Sequence, residues 1–102
     1  MKIVSISEAR RFSLDSVQHR PLDTVDGLKA ELICFEAGQV EPVRSAAAAA
    51  TYQVLEGEAM VRSGGTIARL GKGKLASVAS GTEHTIENAG GGLLVVLAIS
   101  AG

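Results

Sequence analysis

From Leu28 onward the chain is a series of short apolar runs, each closed by glycine. Leu28–Phe35 ends at Ala37-Gly38, Thr51–Leu55 at Glu56-Gly57 and Ala59–Arg62 at Ser63-Gly64-Gly65. Thr66–Leu70 ends at Gly71-Lys72-Gly73, Leu75–Ala79 at Ser80-Gly81 and Thr82–Glu87 at Asn88 through Gly92, before a last run, Leu93–Ile99. Runs of four to eight residues are strand-length and too short for a series of helices. Glycine between them supplies the positive φ that tight hairpin turns require. This rhythm predicts an all-β sandwich or barrel.

Thr82–Glu87 alternates weakly, with His84 and Ile86 on one face. Leu93–Ile99 does not alternate, so it reads as a strand covered on both sides, by the interior and by a second subunit or a flanking strand. Ala46–Ala50 favours helix by propensity but is too short to nucleate one, and Pro42-Val43 and Thr51-Tyr52 beside it favour extended chain. It reads as a loop entering a strand. Before Leu28, Ser7–Arg11 suits a helical turn, Val17–Arg20 an edge strand stopped by Pro21, and Asp23–Gly27 a turn. Residues 1–27 are thus read as an N-terminal extension of the same domain, and 28–102 as the barrel.

Spacing becomes specific at Gly38. After five intervening residues comes Arg44, then Ala46, Ala50 and Gly57. Further on, Gly73, Ala79, Gly81, His84 and Asn88 fall at a second set of intervals. These resemble the two motifs of the cupin superfamily: a glycine, His-x-His, Glu and glycine in the first, and a glycine, Pro-x-Gly, His and Asn in the second. Pro42 and the phrase Val54-Leu55-Glu56-Gly57-Glu58-Ala59 are similar as well. The resemblance implies an all-β double-stranded β-helix, a jelly-roll barrel enclosing a small cavity. In many cupins that cavity holds one metal ion on three His and one Glu.

The ligand positions depart from the motif. Arg44 and Ala46 stand at the two His positions, Ala50 at the Glu position and Ala79 at the proline; only His84 keeps a ligand identity. A methyl group has no lone pair, a guanidinium has no acceptor, and one imidazole does not hold a transition metal against water. The expectation is therefore a degenerate metal site and no required cofactor, with a divalent metal only as the minor alternative. If Ala50 points inward as the motif's Glu does, Tyr52 and Val54 follow it by alternation. His84, Tyr52, Arg44 and Met60 are the candidate cavity residues. Arg44 makes a small anion one candidate ligand, since a guanidinium binds carboxylate or phosphate in bidentate fashion; solvation at the mouth or pairing with Glu41 is the plainer alternative. His19 reads as an exposed strand residue, and Cys34 as a buried small hydrophobe.

Other classes are excluded by composition. Ten Lys+Arg against eleven Asp+Glu give no basic excess for nucleic acid, and three aromatic residues leave no stacking platform. No run approaches the ~20 apolar residues of a membrane helix. One cysteine and no apolar signal core suggest the cytoplasm. Two functions follow: a non-catalytic small-molecule binding or sensing module, or a cupin enzyme. The enzyme would use improvised metal ligands, or no metal and His84 as base in an isomerase- or epimerase-like site. No interior Asp or Glu is evident beside His84. A 102-residue barrel has a thin core, so a homodimer is expected, with Leu93–Ile99 at its interface.

Overall fold

The computed structural model describes residues 1–45 and 48–101, the side chains of 42–45 excepted. Its elements are α1 (Ile6–Ala9), β1 (Gln18–Val25), β2 (Leu28–Phe35), β3 (Val40–Ser45), β4 (Ala50–Glu56), β5 (Ala59–Ser63), β6 (Thr66–Leu70), β7 (Leu75–Val78), β8 (Glu83–Asn88) and β9 (Leu94–Ala101). Most strands lie within a residue or two of the runs that the glycines delimit. The strands form two antiparallel sheets, β1-β2-β9-β4-β7 and β3-β8-β5-β6, in a double-stranded β-helix. Ala46 and Ala47 of the alanine run lie outside the described residues; Ala50 begins β4.

Sequence position explains the turns. Asp26 and Gly27, both at positive φ (47° and 80°), join β1 to β2 as a two-residue hairpin. The turn is thus shorter than the expected Asp23–Gly27. β1 does not stop at Pro21 but continues through it to Val25, with an irregularity in register between Pro21 and Asp23. Proline is tolerated there because β1 is an edge strand and its outer side needs no donor.

The interior is filled from both sheets. Ile33, Phe35, Tyr52, Val54, Leu94 and Val96 of the five-stranded sheet face Val61, Leu70 and Ile86 of the other in one apolar cluster. Asn88, 3% exposed, stitches the sheets at one end. Its amide nitrogen donates to the carbonyls of Glu36 (3.0 Å) and Gly92 (2.8 Å), and its oxygen accepts from Gly90 N (3.2 Å).

A second cluster covers the outer face of the five-stranded sheet. Leu22, Leu32, Cys34 and Val95 are buried there beneath Ile6, Ala9 and Phe12 of the N-terminal segment. This accounts for the missing alternation in β9: Val96 faces the interior, while Val95 faces the chain's own N-terminal arm. The observation behind the expected dimer interface therefore has an intrachain explanation. Among the described residues no helix is long and apolar enough to cross a membrane.

Gly57 offers a direct check of the turn geometry. It has φ +87°, and a Cβ there would lie 2.3 Å from the Leu93 carbonyl oxygen, a backbone atom that cannot swing away. Gly38 has φ +76° with nothing near its absent Cβ. Gly57→Ala is expected to destabilise by roughly 2–4 kcal/mol, and Gly38→Ala by about 1–2 kcal/mol, in urea unfolding.

Candidate functional site

Alternation on β4 places Ala50, Tyr52 and Val54 inside and leaves Thr51 and Gln53 half-buried on the other face. On β8 the same rule turns His84, Ile86 and Asn88 inward and Glu83 outward. Tyr52 and His84 project from different sheets and meet in the interior, each 2% exposed. Tyr52 Oη lies 2.8 Å from His84 Nε2, and the rings are tilted by 54° with centroids 5.3 Å apart.

The bonds around His84 assign its neutral tautomer. Nδ1 is 3.0 Å from the Thr82 carbonyl oxygen. A carbonyl can only accept, so Nδ1 carries the hydrogen and Nε2 presents its lone pair. The Tyr52 hydroxyl then donates to Nε2. The one motif ligand that survives thus has its coordinating lone pair already engaged, and Ala50 beside it has no donor atom.

A recess of about 220 Å³ adjoins this pair at the open seam between β6 and β7. Ser63, Ala76 and Thr82 line it, with Val61, Val78 and Ala79. Ala76 is the cross-strand partner of Tyr52, Ser63 that of His84, and Thr82 supplies the carbonyl on His84 Nδ1.

The other seam, between β1 and β3, holds a group that sequence reasoning missed. His19 pairs with inward-facing Ile33 and so shares its face. Its Nε2 donates to Glu41 Oε2 at 2.8 Å, and its Nδ1 lies 3.4 Å from Glu31 Oε1. His19 is therefore not an exposed strand residue: its side chain is 32% exposed, and that of Glu41 only 9%. Glu31 shares a row with Ala98 and Tyr52 across the sheet, so a carboxylate does face the interior, at the His19 seam. The signal was available for Glu31, which stands two residues before Ile33 in an alternating strand. It was hidden for His19 because Pro21 made the strand look finished. The two ring nitrogens point to different carboxylates, so these donors do not converge on one point. Among the described residues no group of three or more His, Cys, Asp or Glu is placed to hold a metal ion.

The remaining candidates divide. Met60 alternates with buried Ala59 and Val61 and stands on the outward face, where its sulfur accepts from Arg62 at 3.4 Å. It does not line the interior. The backbone of Arg44 pairs with His84, and its side chain, like Ala46, lies outside what is described.

The model of the cupin domain matches residues 31–100. The chain belongs to the cupin family. Solved cupin-type structures share its fold over nearly the whole chain. A protein from Thermus thermophilus has 24% identity and a TM-score of 0.93, covering 99% of this chain and 97% of its own. An RmlC-like cupin from Desulfovibrio desulfuricans has 25% identity and a TM-score of 0.86, covering 99% and 96%. A protein with a double-stranded β-helix domain from Klebsiella pneumoniae has 20% identity and a TM-score of 0.89, covering 99% and 90%. No curated protein matches.

Tyr52→Phe deletes the hydroxyl and leaves His84 Nε2 buried without that donor. The expected loss is ~1–3 kcal/mol of folding stability, read by chemical denaturation, while the Nδ1–H signal of the His84 ring persists in nitrogen-15 spectra.

Proposed function

We propose that this cupin binds a small polar molecule in its barrel without a metal ion and without turning it over. One observation carries this reading: His84, the only motif ligand kept, commits Nδ1 to the Thr82 carbonyl and Nε2 to the Tyr52 hydroxyl. Coordination through Nε2 would have to break a buried 2.8 Å hydrogen bond, and Ala50 would contribute nothing in return. The recess beside the pair, about 220 Å³, suits a compact ligand, equivalent to about seven waters at ~30 Å³ each. Ser63, Thr66 and Thr82 bring hydroxyl-bearing side chains to its lining. Arg44, whose backbone stands opposite His84, makes a short carboxylate-bearing molecule the first class to test.

A second reading is a metal-free acid–base enzyme. The observation in its favour is a phenol and an imidazole sharing one buried hydrogen bond, a pair able to pass a proton. Under it, Tyr52→Phe abolishes turnover of a bound ligand; under the first reading no turnover exists to lose. A cytoplasmic setting fits the single cysteine, which is free and buried.

Metal analysis of the protein purified without chelator tests the first reading. It is expected to find zinc, nickel, manganese and iron well below one equivalent. The triple variant Arg44→His, Ala46→His, Ala50→Glu restores the motif's donors and should gain measurable nickel binding by calorimetry, where the parent shows none. A full equivalent of metal in the parent would contradict the proposal.

A further inference from the structure

Four strands end the two sheets, β1 and β3 at one seam and β6 and β7 at the other. An edge strand presents backbone N–H and C=O groups that pair with another extended chain unless something blocks them. At the β1–β3 seam both edges are blocked. The chain's two prolines, Pro21 and Pro42, stand there, each beside a break in register. The His19–Glu41 hydrogen bond spans the gap. Nothing comparable guards the β6–β7 seam among the described residues. β6 pairs with β5, and β7 with β4, in unbroken register. Thr66 to Arg69 are all exposed, including Thr66 and Ala68, which line the recess.

The hairpin fixes which backbone groups of β6 are free. Gly64 and Gly65, at φ +51° and +84°, form a two-residue turn, so Ser63 and Thr66 are a hydrogen-bonded pair. Such pairs alternate along an antiparallel ladder. Thr66, Ala68 and Leu70 therefore direct their backbone groups to β5, and Ile67 and Arg69 direct theirs outward. The charge around this edge is one-sided. Between Glu58 and Glu83 the chain carries Arg62, Arg69, Lys72 and Lys74 and no acidic residue, although its net charge is -1. Glu58 engages Arg69 at 2.8 Å, and the other three cations meet no carboxylate among the described residues.

We propose that the β6 edge docks an extended, acidic segment of another protein, added antiparallel as a fifth strand of the four-stranded sheet. Residues opposite each other share a face, so a carboxylate opposite Arg69 lies beside a guanidinium. An apolar residue suits the place opposite Ile67, which is 56% exposed. A residue opposite Ala68 turns toward the recess, where a small side chain suits. A second copy is the wrong occupant, because β6 paired with itself brings the same cations to one edge. The inference goes beyond the barrel reading and stands whether or not the recess holds a ligand.

The test titrates the nitrogen-15-labelled chain with a blocked peptide, Glu-Ser-Val-Ser-Glu. At millimolar peptide the Ile67 and Arg69 amides are expected to shift and to exchange more slowly with solvent, while the Ala68 amide, already bonded to β5, exchanges as before. The counterpart with lysine for glutamate should bind roughly tenfold more weakly. Ile67→Pro removes an outward N–H that β5 does not use and should abolish binding. Should that variant not fold, Lys72→Glu with Lys74→Glu decides, and is expected to reverse the preference between the two peptides. The proposal is overturned by no binding at millimolar peptide, by unslowed exchange at Ile67 and Arg69 in the bound state, or by equal binding of both peptides. A folded Ile67→Pro variant that still binds, or a charge-reversed one that keeps its preference, overturns it too.

Discussion

The Tyr52–His84 hydrogen bond is the interaction around which the barrel interior is organised. It joins the five-stranded sheet to the four-stranded sheet at 2.8 Å, in a place closed to water. Among the described residues, His19 to Glu41 at the β1–β3 seam and Asn88 to the carbonyl of Glu36, just past β2, also cross between the sheets. A structural metal can contribute on the order of 10 kcal/mol to a fold. A neutral hydrogen bond contributes only about 1 kcal/mol net, and one to a charged group, such as His19 to the Glu41 carboxylate, about 1.5–3 kcal/mol. Three such bonds therefore do not take over a metal's energetic role. They set register and direction, and stability rests on the apolar cluster that both sheets fill.

That cluster is small, and the chain compensates by covering its larger sheet on both faces. Val96 packs inward among Phe35, Tyr52 and Val54, and Val95 packs outward under Phe12 and Ile6. The arm thus acts as a third layer over β2 and β9. The two seams left open between the sheets differ in chemistry. The β6–β7 seam is lined by small and hydroxyl side chains beside Tyr52 and His84. The β1–β3 seam is closed by an imidazole against carboxylates, beneath a groove of about 500 Å³ flanked by Leu14 and Val40.

Much of this is legible in the sequence wherever a physical rule acts locally. Glycines at positive φ mark the ends of β2, β4, β5, β6 and β7 because no other residue takes those turns cheaply. Alternation from Ala50 gives the inward face of β4, and the motif spacing gives His84 as its counterpart on β8. What alternation does not give is distance between strands far apart in sequence, so the 2.8 Å contact itself required the fold. His19 and Glu41 are separated by 22 residues and meet only because β1 and β3 are edge strands of facing sheets. The unbroken run in β9 signals two covered faces without naming the cover, since an apolar surface is indifferent to whether a partner or its own N-terminus fills it. Met60 stands between Ala59 and Val61, and the pleat of β5, which buries those two, turns it outward.

The account stands on the direction of one hydrogen atom. Neutron diffraction from a deuterium-exchanged crystal would locate it. The account predicts deuterium on His84 Nδ1 aimed at the Thr82 oxygen, deuterium on Tyr52 Oη aimed at Nε2, and no cation at bonding distance from that nitrogen. A metal ion coordinated to Nε2, with the tyrosine hydroxyl turned aside, would contradict it.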